Sequence, residues 1–515
     1  MKHIILLGII TATILPFFHA GLFDVHDPTS AFRLYTLVET IKAGQFPPAW
    51  NNSLNFGFGY PLHLYYAPLF SYLSALFVPL LTYEISIKVA LFIASIVGSY
   101  GVYKLMIKVG FYPAILASTA FTLLPYRASG LYVRGSYAEF LAMSLMPWVI
   151  YFWVQPQNNK KTIFKTGIIT ALFVLSHNTL PIIFLPAILV MIALFQTKFI
   201  KGALGSLIIV AGLTSWFIFP VLFERDFVQV ENIAKLTGYK DHFVSLSQLW
   251  YSRWGYGGST AGVAGDNMSF MLGKGQVILS VLGLVYLYLH KKWKELILLS
   301  FITIMAIFLS LNISSFIWDM FPILSVMQFP WRSLAVSGIG LSLLGGYSLL
   351  LLPKKYLSIM TIIACVLLLA TNIRYFSPQE YRNYNYDILS SQNNLDPLVK
   401  NKIPEYLPKW MPVFPSERIG NSLTRDAISV TGEVRMEYTE PLTIDTAYMP
   451  HWRLILDGRE LDELIPTPIG TISTTIDVAK GVHQIELIWH RTSIEKLGIG
   501  LTLVTIAAMI GLWIL

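Results

Sequence analysis

Asp24, His26 and Asp27 lie within four positions, directly after an apolar run. A carboxylate in such a place can act as a general base or bind a cation, and an imidazole can do either. The same residues suit a solvated loop, because Asp27-Pro28 is a good helix start. Arg33 follows closely. A second group comprises Arg127, Arg134 and Glu139, inside LPYRASGLYVRGSYAEF at residues 124–140. A charge at the centre of a membrane helix costs about 2.5–3.5 kcal/mol, so ionisable residues near hydrocarbon are functional candidates. A structural Arg134–Glu139 ion pair is the plain alternative. His177 interrupts an apolar run in Ser176-His177-Asn178, where a structural hydrogen bond or a catalytic role both fit. Arg332, in Gln328-Phe329-Pro330-Trp331-Arg332, could hold a phosphate at a helix start.

Between these groups runs GQFPPAWNNSLNFGFGYPLHLYYAPLF, residues 44–70. Trp50, Tyr60, His63, Tyr65 and Tyr66 sit there among Gly, Pro and Asn. Aromatic faces edged by amides bind sugars, since CH groups stack while hydroxyls find partners. An interfacial belt of Trp and Tyr is the alternative. Acids, Arg and His from several helix ends would share one face. A carboxylate base with Arg residues to clamp phosphate suits transfer from a phosphate-linked donor.

The elements that must position these residues are membrane helices. The chain has 515 residues, 55% hydrophobic and 13% charged, with mean hydropathy +0.59. Soluble proteins carry roughly 25% charged residues. Twelve spans are expected, near 4–23, 85–107, 111–125, 136–155, 163–176, 180–196, 203–223, 276–290, 295–311, 330–352, 356–371 and 496–515. The first resembles a signal peptide, but Phe18 fits a cleavage site poorly, so an uncleaved span is expected. With the N-terminus inside, the cytoplasmic ends hold Lys2, Lys104, Lys108, Lys160, Lys161, Lys165, Lys198, Lys201, Lys291, Lys292, Lys294, Lys354 and Lys355. The net charge of +8 is therefore a topology signal, and nucleic acid is not an expected partner. Lys88, near an outer end, departs from this pattern and could snorkel. Residues 61–81 must then lie at the membrane surface, a reading supported by Pro61, Pro68 and Pro79.

This reading gives a membrane domain over 1–371 with outer loops 24–84 and 224–275, an extracytoplasmic β-rich domain over 372–492, and a last helix over 493–515. The Gly- and Trp-rich character of 224–275 stands out. Alternation predicts strands over 428–438, 442–448, 452–456, 471–478 and 483–489, with Asp457-Gly458 as a hairpin turn and Lys480-Gly481 as a weaker one. A β-sandwich-like domain able to fold without the membrane part is expected, serving acceptor recognition or acting as a structural cap. Cys365 is the lone cysteine, which excludes an intrachain disulfide framework. No Walker A, Rossmann or HExxH pattern and no 20–50-residue repeat is present.

Several stretches carry a family resemblance: HDPTSAFRLYTLVETIKAGQFPPAW, GFGYPLHLYYAPLFSYL, PYRASGLYVRGSYAE, LSHNTL, QFPWRS and, near the C-terminus, YMPHWRLILDG and TPIGTISTTIDVAKGVHQIELIW. The chain resembles the GT-C superfamily of membrane glycosyltransferases. More closely, it resembles bacterial membrane proteins with a 6-pyruvoyl-tetrahydropterin synthase-related domain. The resemblance covers nearly the whole chain. It implies an all-α polytopic fold with outer juxtamembrane helices, in the bacterial plasma membrane. It further implies inverting transfer of a sugar from a polyprenyl-phosphate-type donor to a glycan, lipid or protein acceptor. By that resemblance Asp27 is the catalytic base, Asp24 its competitor, and Glu139 the second acid. Arg134 and Arg332 would stabilise the departing phosphate. Asp27, Glu139 and His26 would be the ligands if a divalent cation, Mg or Mn, takes part. In GT-C proteins the acidic pair is usually Asp-Asp or Asp-Glu, and His26-Asp27 departs from it. No zinc-binding His triad accompanies the pterin-related name. The alternative is a non-catalytic membrane protein that transports or scaffolds envelope lipids. A transporter would place its ionisable residues nearer mid-bilayer.

With Cys365 replaced by alanine, single cysteines at Asn159 and Lys292 should resist impermeant labelling in intact cells and react after permeabilisation. Labelling of both from outside would reverse the topology.

Overall fold

Every apolar run expected to span is a helix in the computed structural model, which describes residues 4–230, 238–262, 265–390, 406–411, 423–461 and 463–514. Lys2 lies outside these. Among the described residues, six helices are long and apolar enough to cross a membrane: Tyr83–Met106, Thr197–Phe223, Trp293–Ser310, Pro330–Leu351, Lys354–Tyr375 and Ser493–Leu512. Others at the expected places are shorter, including Ile4–Ile14, Phe111–Thr122, Tyr137–Trp153 and Lys160–Ser176.

Small residues let these helices approach closely. A Cβ on Gly283 would lie 1.9 Å from the carbonyl oxygen of Leu344, so helix Lys274–Leu289 packs backbone to backbone on Leu334–Ser348. Ser215 Oγ donates to the carbonyl of Gly498 at 2.8 Å, and Thr502 Oγ1 to that of Gly212 at 2.8 Å. These bonds clip helix Ser493–Ile514 to Ile200–Phe223. Lys88 does not snorkel. It is buried, and its Nζ donates to the carbonyl of His19 at 2.6 Å and to Glu84 at 2.9 Å.

Residues 61–81 form two short helices, Leu62–Tyr65 and Leu69–Ala75, parted at Tyr66-Ala67-Pro68. Seven helical residues rise about 10 Å, far less than a bilayer core of about 30 Å.

The C-terminal strands build two antiparallel sheets. Ser429–Met436, Gly481–Trp489 and Trp452–Leu456 form the centre of a five-stranded sheet, and Glu440–Ala447, Thr471–Val478 and Leu464–Pro466 form a three-stranded one. Val430, Leu454 and Leu487 from the first share a core with Ile444 and Ile472 from the second. Asp457 and Gly458 both have positive φ, +50° and +78°, and join paired strands Trp452–Leu456 and Arg459–Leu461 as a two-residue hairpin. Lys480-Gly481 is not a hairpin, because the strands on its two sides belong to different sheets.

Two expectations about this domain need correction. First, residues 372–390 do not belong to it. Tyr381–Arg382 pairs with Leu22–Phe23, and Tyr384 and Leu389 sit in the core of the helical part. Second, its core is not its own. Trp50 is completely buried, stacked on Trp489 at 4.9 Å and edge-on to Trp452 at 5.2 Å. Asn52 Nδ2 donates to the carbonyls of Asp426 and Ser429, and the Ala447 N–H donates to the carbonyl of Phe58. The loop expected to wall a sugar site is thus the last layer of the β-rich core. Trp50 Nε1 donates to Asn52 Oδ1 at 2.7 Å, so its apolar faces pack against other rings with the indole N–H satisfied.

Trp50→Ala should cost about 3–5 kcal/mol, lowering the melting temperature in detergent. An excised 423–490 fragment should show no cooperative melt by near-ultraviolet circular dichroism.

Candidate functional site

The site is assembled from two loops that pair through their main chains. The N–H of His26 donates to the carbonyl of Val133, and that of Asp27 to the carbonyl of Arg134, both at 3.0 Å. Gly135 makes this approach achievable. Its φ is +68°, and a Cβ there would lie 2.4 Å from Val25 and 2.8 Å from the carbonyl oxygen of Asp27. Only glycine meets both demands.

Asp27 stands at the start of helix Ser30–Lys42. Its Oδ1 accepts from the main-chain N–H and the hydroxyl of Thr29, and its Oδ2 pairs with Arg33 Nη2 at 3.1 Å. Arg33 is buried, donates to the Tyr66 hydroxyl at 2.9 Å and lies 3.9 Å over that ring. Burial disfavours its charge, but Asp27 and Tyr66 outweigh burial and hold its pKa above the ordinary value. His63 accepts or donates across 3.1 Å to Thr36 Oγ1. Burial, reinforced by the charge of Arg33, pushes its pKa down to about 3.

The second acid is closed off. Arg134 meets Glu139 with two parallel bonds, Nη1 to Oε1 and Nη2 to Oε2, each 2.8 Å. Tyr126 donates to Oε1 at 2.8 Å and accepts from Arg134 at 3.1 Å. Trp331 covers the guanidinium at 4.5 Å. The Glu139 side chain is 2% exposed, whereas that of Asp27 is 35% exposed. His177 Nε2 stands 4.0 Å from Glu139, and its Nδ1 accepts the N–H groups of Thr179 and Leu180. Burial brings its pKa to about 4 despite the nearby carboxylate, so this imidazole is neutral at pH 7. Arg332 is half-buried, donates to the carbonyl of Met327 at 2.8 Å, and its charge is felt at Tyr66 and His177.

Asp27, Arg33, His63, Tyr66, Arg134, Glu139, His177 and Arg332 therefore form one connected group. Other expected members lie elsewhere. Trp50, Tyr60 and Tyr65 are buried in the β-rich core, with Tyr65 donating to the carbonyl of Glu224. Arg127 is sealed between Phe121 and Phe140 at 4.3 and 4.2 Å, bonded to Ser144. Asp24 is bound to Arg382 at 2.9 Å and so tethers the 381–382 strand. His26 Nε2 contacts the carbonyl of Tyr256 at 2.8 Å. Asp27, Glu139 and His26 do not converge as metal ligands, because each acid is turned onto a guanidinium. Among the described residues, the His/Asp/Glu group with ligand spacing is Glu224, His451 and Glu495. Arg134 is no open phosphate clamp, since its fork is filled by Glu139.

Two features escaped the sequence reading. Tyr126 is the hydroxyl hub of the Arg134–Glu139 pair, though it lies inside a quoted motif. A cleft of about 390 Å³, lined by Arg253, Trp254, Tyr256 and Asn267, opens beside His26. Its signal was the Gly- and Trp-rich run of residues 224–275.

Residues 63–377, more than half of the chain, match the family described as "6-pyruvoyl-tetrahydropterin synthase related domain; membrane protein". The chain belongs to this family. The matched range includes Glu139, His177 and Arg332 and stops short of Asp27 and of the β-strands. No curated protein matches the chain in sequence. Solved structures it is similar to include ArnT from Cupriavidus metallidurans bound to undecaprenyl phosphate, at 11% identity and TM-score 0.42, over 72% of this chain and 63% of that one. Another is the arabinofuranosyltransferase AftD from Mycobacteria, at 12% identity and TM-score 0.44, over 74% of this chain and 27% of that one. The chain thus spans less than two thirds of either.

Breaking the buried pair on one side should be worse than removing both sides. Glu139→Gln leaves a buried guanidinium unpaired and should cost about 3–5 kcal/mol, with Arg134→Met, Glu139→Leu recovering most of it. Equal losses in single and double variants, read by thermal melts, would show that an unpaired guanidinium is not the source of the single variant's loss.

Proposed function

We propose that this chain is a membrane glycosyltransferase of the GT-C type, using a polyprenyl-phosphate-type sugar donor and an extracytoplasmic acceptor. The observation that carries this reading is the contrast between the two acids. Asp27 is accessible and held beside cations, while Glu139 is sealed by Arg134. An accessible carboxylate next to positive charge can take a proton from an incoming hydroxyl. Asp24 suits that role less well, because its side chain is less exposed, 25% against 35%, and it faces the 381–382 strand.

In this scheme the acceptor oxygen attacks the anomeric carbon as Asp27 takes its proton. The bond from that carbon to the phosphate oxygen breaks on the opposite face, and configuration inverts. Arg332, with Arg33 behind Asp27, supplies the positive potential that stabilises the departing lipid phosphate. Glu139 and Arg134 fix the loop that carries Asp27. The cleft beside His26, with Trp254 and Tyr256, receives a sugar ring. We read the twelve helices as the spanning set and the two sheets as a sandwich-like domain standing on the acceptor side.

Asp27→Asn keeps the shape of the side chain and removes the base. Transfer from a lipid-linked donor by purified protein in detergent should fall 10²–10⁴-fold, roughly the contribution of a general base. Asp24→Asn should retain most activity. Full activity in the Asp24, Asp27 double variant would refute the mechanism.

A further inference from the structure

Away from Asp27, three distant parts of the chain bring ionisable groups to one buried point. Glu224 ends helix Ile200–Phe223, His451 lies between strands Glu440–Ala447 and Trp452–Leu456, and Glu495 is in the first turn of helix Ser493–Ile514. Their relative exposures are 3%, 1% and 1%. His451 Nε2 stands 3.0 Å from Glu495 Oε1 and 4.0 Å from Glu224 Oε2. All three ligand atoms lie within 4.8 Å of one another. His451 is stacked on Trp489 at 4.2 Å, which fixes its ring plane.

The polar partners of this group are incomplete. Arg491 donates to Glu495 Oε2 at 2.8 Å, and the Thr492 N–H to Oε1 at 3.3 Å. The Thr492 side chain bonds Glu224. Yet Glu224 Oε2 and His451 Nδ1 are buried without a hydrogen-bond partner, while Nε2 faces both carboxylates. Native interiors rarely leave such atoms unmet.

We propose that Glu224, His451 and Glu495 bind a divalent transition-metal ion of the zinc class. Ligand atoms 2.0–2.2 Å from zinc lie roughly 3–4 Å apart, close to the spacing found here. One imidazole with two carboxylates suits zinc, whereas calcium and magnesium favour oxygen alone. The ion would join two membrane helices to the β-rich domain. Arg491, whose Nη2 also reaches the carbonyl of Pro47, extends the joint to the Trp50 loop. This role is structural and independent of whether the chain transfers sugars.

The test uses full-length protein in detergent, stripped with EDTA, exposed to zinc chloride, desalted and measured by plasma mass spectrometry. The wild type should retain about one zinc per chain, and a Glu224→Gln, His451→Gln variant less than a tenth of that. EDTA should lower the wild-type melting temperature by several degrees and zinc should restore it, an arm that needs no variant to fold. Wild-type protein that keeps no zinc, with a melt unmoved by EDTA, would overturn the proposal. Zinc retention undiminished in the Glu224→Gln, His451→Gln variant would equally overturn it, placing the ion elsewhere.

Discussion

A charge removed from water must be answered by another charge or by several hydrogen bonds, and one end of this bundle is organised around that demand. Arg134 and Glu139 answer each other with two bonds, and Tyr126 closes the remaining side. Because Arg134 is fixed, its carbonyl can receive the N–H of Asp27. The loop of Asp24 to Asp27 therefore inherits its position from a buried pair. Such a pair is weak evidence for added stability. Its clearer effect is geometric, since it holds one acid closed and leaves the next one accessible.

The same economy explains the β-rich domain. Trp50, Asn52 and Phe58 come from the loop that starts at Asp24, yet they complete a core made by strands near the C-terminus. Movement of that domain would therefore be transmitted through residues 44–66 to His63 and Tyr66, which touch Thr36 and Arg33. A rigid link of this kind couples the two regions through packing.

Much of this was legible in the residues. Apolar length placed the helices, alternation placed the strands, and Asp457-Gly458 placed a hairpin. Arg134, Glu139 and Arg332 did gather with Asp27, whereas Arg127 of the same 124–140 segment did not. What failed shares one cause. Composition says that Trp50 and Tyr60 want partial burial, but only the tertiary fold says whether sugar or other tryptophans provide it. In the same way, Arg134 carries one sequence signature whether it faces phosphate or Glu139. Glu224, His451 and Glu495 were invisible because no local spacing links residues from three remote segments.

The reach of the Trp50 layer has a consequence for how the chain is made. Asn52 and Ser429 are 377 residues apart. At a synthesis rate of about 5–20 residues per second, roughly 20–75 s separate the appearance of the two ends. During that interval Trp50 lacks the Trp452 and Trp489 rings that bury it. The loop is therefore born long before its shelter, and a transient guardian, lipid surface or chaperone, is the natural occupant of its first minute.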